Sequence, residues 1–228
     1  MHVPDGFLDA PTSLVTAGLA VTGVAIALRG ARRELDDRVA PLAGIIATFV
    51  FAGQMINFPV AGGTSGHLMG GALAAVLVGP YTGLLCLTVV LVVQALLFAD
   101  GGITAIGTNV ILMGIVTVVG GYVVFRLAQM VLPRRLSMVA PAAAVGAVAS
   151  VAMSALTFVV LYAVGGVAPI PFDTLLTAML GVHALIGIGE AVITFMVVGS
   201  IIAVRPDLVH GARRLVGSRE LETRLVSA

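Results

Sequence analysis

The chain begins Met1-His2-Val3-Pro4-Asp5-Gly6-Phe7, and a histidine placed directly after a free α-amine is a ready chelate. The Met1 amine, the His2 backbone nitrogen and His2 Nδ1 are three donors from two residues, and each adjacent pair closes a small ring around an ion. With the amide deprotonated they fill three corners of a square plane, which Ni(II) or Cu(II) favours over Mg(II) or Ca(II). A fourth nitrogen is then missing. The imidazole of His67, at the end of the irregular segment Asn57-Phe-Pro-Val-Ala-Gly-Gly-Thr-Ser-Gly66, is the candidate to supply it. The same residues also read without chemistry: any chain begins with methionine, His2 is then chance, and His67 merely starts a helix.

Further polar residues sit in otherwise apolar surroundings. His183 and Glu190 are seven positions apart, close to two helical turns, and so share one face of a helix. Ionisable groups at membrane depth are costly enough that a function is the default expectation. A relay for the ion is one reading; a structural pair, or contacts to another subunit, is the other. Gln54, Asn57, Thr64, Ser65 and Asn109 could orient His67 or close its pocket from behind, and could equally satisfy the backbone of a broken helix. Met55 and Met69 read as core fillers, because thioethers suit Cu(I) and pack irregular gaps. The lone Cys86 lies in an apolar run and reads as a small core side chain.

The elements that must position these residues are membrane helices. Of the 228 residues 59% are apolar and only 10% charged, and the mean hydropathy is +1.14. In soluble domains about a quarter of residues are charged. Apolar runs of roughly 17 to 25 residues recur, long enough to cross a hydrocarbon core about 30 Å thick, and within it the backbone must be helical. Seven spans are expected near 12–28, 40–56, 67–78, 80–99, 109–126, 140–164 and 174–204. The third is too short to cross alone and follows the glycine-rich segment, a pattern that points to a binding site.

All twelve basic residues are arginines, and they fall on one side of these spans: Arg29, Arg32, Arg33 and Arg38 after the first; Arg126, Arg134 and Arg135 after the fifth; Arg205, Arg213, Arg214, Arg219 and Arg224 after the last. Cytoplasmic loops collect basic residues, so the C-terminus is expected inside, and Met1 and the loop before His67 outside. Asp5, Asp9, Asp100 and Asp173 then give the outer face a cation-attracting field and act as attractors or caps rather than ligands. Asp9-Ala10-Pro11 reads as the start of the first helix. Residues 1–204 are expected to form one transmembrane metal-binding domain, and 205–228 a cytoplasmic tail with Leu215, Leu221 and Leu225 at helical spacing. Small residues four apart, Gly23, Ala27 and Ala31, and Ala43 with Ala47, allow close helix packing, within the bundle or against another subunit.

Three segments in order, Met1-His-Val-Pro-Asp-Gly-Phe-Leu8, Phe58-Pro-Val-Ala-Gly-Gly-Thr-Ser-Gly-His67 and Gly181-Val-His-Ala-Leu-Ile-Gly-Ile-Gly-Glu190, closely resemble the CbiM/NikM family, the substrate-binding membrane subunits of cobalt and nickel energy-coupling-factor (ECF) transporters. The resemblance spans residues 1 to about 204. It implies an all-α bundle of about seven helices whose N-terminal segment plugs into the bundle, in the cell membrane of a prokaryote. It also implies a metal site of Met1, His2 and His67, and Ni(II) or Co(II) as transported substrate. Implied partners are a transmembrane coupling subunit, two cytoplasmic ATPase subunits and a small accessory membrane subunit; no nucleic acid is involved. No G-x-x-x-x-G-K-[ST] loop is present, so ATP hydrolysis must come from the partners. Four planar nitrogens favour Ni(II), yet family members with these ligands serve cobalt uptake for cobalamin synthesis, so the metal stays open.

Two other classes compete with this one. An intramembrane hydrolase using Ser65 with His67 or His183 would need a nucleophile arrangement, but there is no G-x-S-x-G elbow and no H-E-x-x-H helix. An autonomous channel or secondary carrier would need a continuous polar path, and the fourth to sixth expected spans carry almost no charge.

Overall fold

The computed structural model describes residues 1–59 and 65–217, excluding the side chains of Phe58, Pro59 and Ser65. Thr64, the Ser65 side chain, Leu221 and Leu225 therefore lie outside the described residues. Among the described residues the named elements are helices apart from one two-residue β-ladder. Helix α1 spans Ala10–Ala31, α2 Val39–Gln54, α3 Gly71–Val78 and α4 Pro80–Leu97. A fifth continuous rod follows, built from α5 (Ile106–Asn109), a π-helical stretch (Val110–Gly120) and α6 (Gly121–Val131); α7 (Val139–Gly165) and α8 (Phe172–Val204) complete the bundle. Five of these rods are long and apolar enough to cross a membrane: Ala10–Ala31, Pro80–Leu97, Ile106–Val131, Leu136–Gly165 and Phe172–Val204. Helix α2 is apolar and shorter, and the protein is a multi-pass membrane protein.

Local chemistry sets the helix boundaries. Asp9 caps α1 by accepting from Thr12 N at 2.8 Å, with Pro11 in the first turn. Helix α4 starts on Pro80. Its free N–H groups are met by the buried Glu34 carboxylate, which accepts from Tyr81 N (3.3 Å) and Thr82 N (2.7 Å). The expected short third span is α3, which has eight residues. At about 1.5 Å per residue it is roughly 12 Å long. Every residue of α3 is buried, so it sits inside the bundle rather than against lipid.

The segment before α3 forms a tight antiparallel pair, β1 (Phe58–Pro59) with β2 (Ser65–Gly66), registering Phe58 opposite Gly66. Gly23, Ala27 and Ala31 face inward: Ala27 and Ala31 are buried, and a Cβ on Gly23 would meet Ile115 at 2.5 Å. Packing continues past Val204, because Val209 and Ala212 are fully buried in the same core as α3 and Phe125. Cys86 is a buried free thiol near Ala43 O (3.5 Å).

Candidate functional site

Residues 1–9 are folded into the bundle as a plug. Met1, Val3, Phe7 and Leu8 are buried, with Met1 fully so. Phe7 packs on Phe158 and Tyr162, Leu8 bridges to Gly166, and Asp9 N donates to Gly165 O at 2.7 Å. Asn109 grips the segment from the fifth rod: its Oδ1 accepts from Val3 N (2.7 Å) and its Nδ2 donates to Val3 O (3.1 Å). Val3 O also accepts from Gly102 N at 2.9 Å. Asp5 accepts from Ile103 N (3.3 Å) and Thr104 N (2.8 Å), so it ties the plug to the loop before α5. Gly101, at φ +93°, permits this close approach: a Cβ there would lie 2.9 Å from Asn109 Nδ2 and 3.1 Å from His2 Cδ2.

The plug carries His2 to His67, with ring centroids 4.6 Å apart and a 32° tilt. Both rings are buried. His2 Nε2 lies 3.1 Å from Gln94 Oε1, and Nδ1, the nitrogen a chelate requires, lies 3.1 Å from Asp100 Oδ1, so each ring nitrogen faces an oxygen acceptor. His67 Nδ1–H donates to Leu68 O at 2.8 Å, leaving Nε2 buried without a hydrogen-bond partner. Burial pushes the Met1 amine down to about 4, with Asp100 pulling the other way, so the amine is neutral and its lone pair free. Burial above all holds His67 well below its ordinary value. Burial works to raise Asp100, but the His2 and Asn57 side chains outweigh it and keep it below its ordinary value.

The segment carrying His67 is anchored from two helices. Glu190 on α8 accepts from Met69 N (2.7 Å) and Gly70 N (2.9 Å), and Gln54 at the end of α2 donates to Met69 O (2.8 Å). Gly70 sits at φ +75°, where a Cβ would press on Val50, and this residue turns the chain into α3. His183 lies two turns before Glu190 on the buried stripe of α8, as its spacing predicts. It does not pair with Glu190: His183 Nδ1–H donates to Met179 O (2.8 Å), one turn back, and its Nε2 is buried without a partner. Asn57 is exposed and reaches Asp100 at 3.4 Å, so it backs the His2 side of the site rather than His67.

The fold thus brings together Met1, His2, His67 and Asn109, with Gln54 and Glu190 behind His67. Sequence reasoning missed Gln94, whose only signal is one amide in an apolar span, and it assigned Asp100 to the general field rather than to His2. No group of three His, Cys, Asp or Glu side chains positioned to hold a metal occurs among the described residues. The convergence is instead of an amine and two imidazoles.

Residues 2–208 match the family described as the cobalt uptake substrate-specific transmembrane region, CbiM. The chain belongs to the CbiM family. A CbiM relative from Haloquadratum walsbyi, named for metal transport, is 43% identical over 212 residues, covering 92% of this chain and 93% of its own. The fused nickel transport protein NikMN of Rhodobacter capsulatus is 33% identical over 99% of this chain and 68% of its own. The fold is similar to a crystal structure of a transition metal transporter, with a TM-score of 0.79 and 31% identity over 90% of this chain and 93% of that one.

Proposed function

We propose that this CbiM-family membrane protein is the substrate-binding subunit of an ECF-type importer and captures Ni(II) or Co(II) at the outer face for ATP-driven uptake. The family is described by cobalt uptake and a relative by nickel transport, so cobalt and nickel are the substrates to test. The ligands are the Met1 amine, the His2 backbone nitrogen and Nδ1, and His67 Nε2. The observation that carries this reading is the buried, neutral amine beside two stacked imidazoles, one of which, His67, keeps its Nε2 buried and unpaired. A buried lone pair without a donor is costly in an empty site and is satisfied by a cation.

Asp100, 3.1 Å from His2 Nδ1, adds a negative charge beside the incoming ion. Leu68 O holds His67 in the tautomer that ligates through Nε2, and Gln94 meets the far nitrogen of His2, as outer partners of metal-bound histidines do. The single-sided arginines support an outside N-terminus, with the pumping subunits on the arginine side. The fused architecture of the NikMN relative supports at least one further membrane component, and the absence of a phosphate-binding loop supports separate ATPase subunits.

The test is metal content and the visible spectrum of purified protein bearing a native Met1, loaded with Ni(II) or Co(II). About one ion per chain with a planar four-nitrogen spectrum is expected, lost in His67→Ala and in a chain with one residue added before Met1. Full retention by the extended chain overturns the amino-terminal site.

A further inference from the structure

At the end of the bundle away from His2, a cavity of about 490 Å³ lies where α6 leaves the apolar core and the chain turns into α7. Arg126, Arg134, Arg135 and Arg214 line it, and no carboxylate does among the described residues. Other arginines in the same part of the fold are paired: Arg213 with Asp36 at 3.6 Å, and Arg205 and Arg38 with Asp207 at 2.7 and 3.9 Å. The wall is fixed by a short chain of hydrogen bonds. Arg126 Nη1 donates to Gln129 Oε1 (3.0 Å), and Gln129 Nε2 donates to Gly211 O (3.0 Å), which joins α6 to the segment after α8. The remaining lining is apolar, including Met130, Leu132 and Met138.

Along α6, Val123, Leu127 and Met130 are each at least half exposed and recur every three or four residues. They form one continuous apolar strip on the outside of the bundle, and Met130 belongs to both the strip and the cavity. Four like charges crowded around a hollow repel one another unless an anion enters. The strip faces the bilayer, and Met130 joins it to the hollow, so an anion held by the arginines lies at the end of a path that an acyl chain can follow. A phospholipid accounts for both features, with an acyl chain along Val123, Leu127 and Met130 and its phosphate among the guanidiniums, which match phosphate oxygens in forked geometry. Basic pockets between membrane helices are a known setting for such headgroups.

We infer that the arginine-lined hollow between the end of α6, the start of α7 and residues 211–215 binds the phosphate headgroup of an anionic phospholipid. The site is independent of the metal-binding reading, because none of its residues touches the plug. It ties the bundle to one leaflet and holds the α6–α7 turn against the segment that follows α8.

The test is native mass spectrometry of the whole protein in detergent, titrated with phosphatidylglycerol, with phosphatidylcholine and with glycerol 3-phosphate. The Arg134→Gln/Arg135→Gln double variant is compared with Arg32→Gln/Arg33→Gln, whose arginines are exposed and lie outside the hollow. Phosphatidylglycerol adducts are expected on the parent and the control, about 30-fold weaker on the hollow variant, at roughly a tenfold-or-less loss per arginine. Glycerol 3-phosphate binding as tightly as the lipid reassigns the hollow to a soluble phosphate and overturns the lipid. Equal adducts with phosphatidylcholine, or equal loss in both double variants, overturns a specific site. Metal retention is read in the same samples and is expected unchanged in both double variants.

Discussion

Replacing Asn109 by alanine tests whether the plug, rather than the imidazoles alone, sets metal affinity. The substitution removes both hydrogen bonds to Val3 and strands the Val3 N–H in a site where Val3 is 1% exposed. An orphaned buried donor costs about 1–3 kcal/mol and the second bond about 1 kcal/mol. Val3 O keeps Gly102 N. The plug therefore loses about 2–4 kcal/mol. That loss matters because docking sits close to balance. Ordering nine backbone residues costs roughly 9–18 kcal/mol. Burying Met1, Val3, Phe7 and Leu8 returns about 6–12 kcal/mol. The hydrogen bonds of Val3, Asp5, Phe7 and Asp9 add about 7 kcal/mol more. From a balanced docking equilibrium, weakening the docked state by about 2 kcal/mol or more cuts the competent fraction from about one half to about 3% or less, so Kd for Ni(II) should rise about 15-fold or more. Competition against a chromophoric chelator reads the Kd, and hydrogen exchange of the residue 2–8 amides reads the docking. A Kd within about threefold of the parent, with those amides still protected, refutes the reasoning.

Gln94→Leu removes the partner of His2 Nε2, and metal affinity should fall about 10–100-fold at an unchanged melting temperature, read by the same competition. Glu190→Gln leaves one of the Met69 and Gly70 N–H groups facing an amide donor; the visible band of bound Ni(II) should shift as His67 moves, with weaker binding, and an unchanged band would show that the clamp does not place the ring. Gly101→Ala forces a Cβ toward Asn109 and His2 at φ +93°. That strain, of order 1–3 kcal/mol, should lower metal retention, while Gly18→Ala, in open space, does not.

The helices and the glycine-rich break were legible in the sequence because hydropathy and proline or glycine punctuation act locally. The short third helix is an example: His67 through Val78 is too short to cross a bilayer, and the structure places it inside the bundle with every residue from Gly71 to Val78 buried. The π-helical stretch over Val110–Gly120 was not legible, since an apolar run of that composition fits an α-helix equally well. Nor was Gln94 at His2, because a contact between residues 92 positions apart leaves no periodic trace.

Glu190 illustrates how spacing placed a residue on a helix face and left its job undecided. Seven positions from His183, it was bound to share a helix face with it, and both are buried on that face. Spacing along one helix cannot say which backbone on another helix a carboxylate will meet. The structure has the two oxygens of Glu190 accepting from consecutive N–H groups, Met69 and Gly70, just where the chain turns at positive φ from the hairpin into α3. Those N–H groups lie just ahead of α3, on backbone that belongs to neither the helix nor the ladder and so has no regular partner, and in a bilayer leaving them unpaired costs several kcal/mol each. The carboxylate thus meets a need created by the break that presents His67. Its burial follows from the irregular backbone, and a continuous helix through residues 66–70 would leave it without a role.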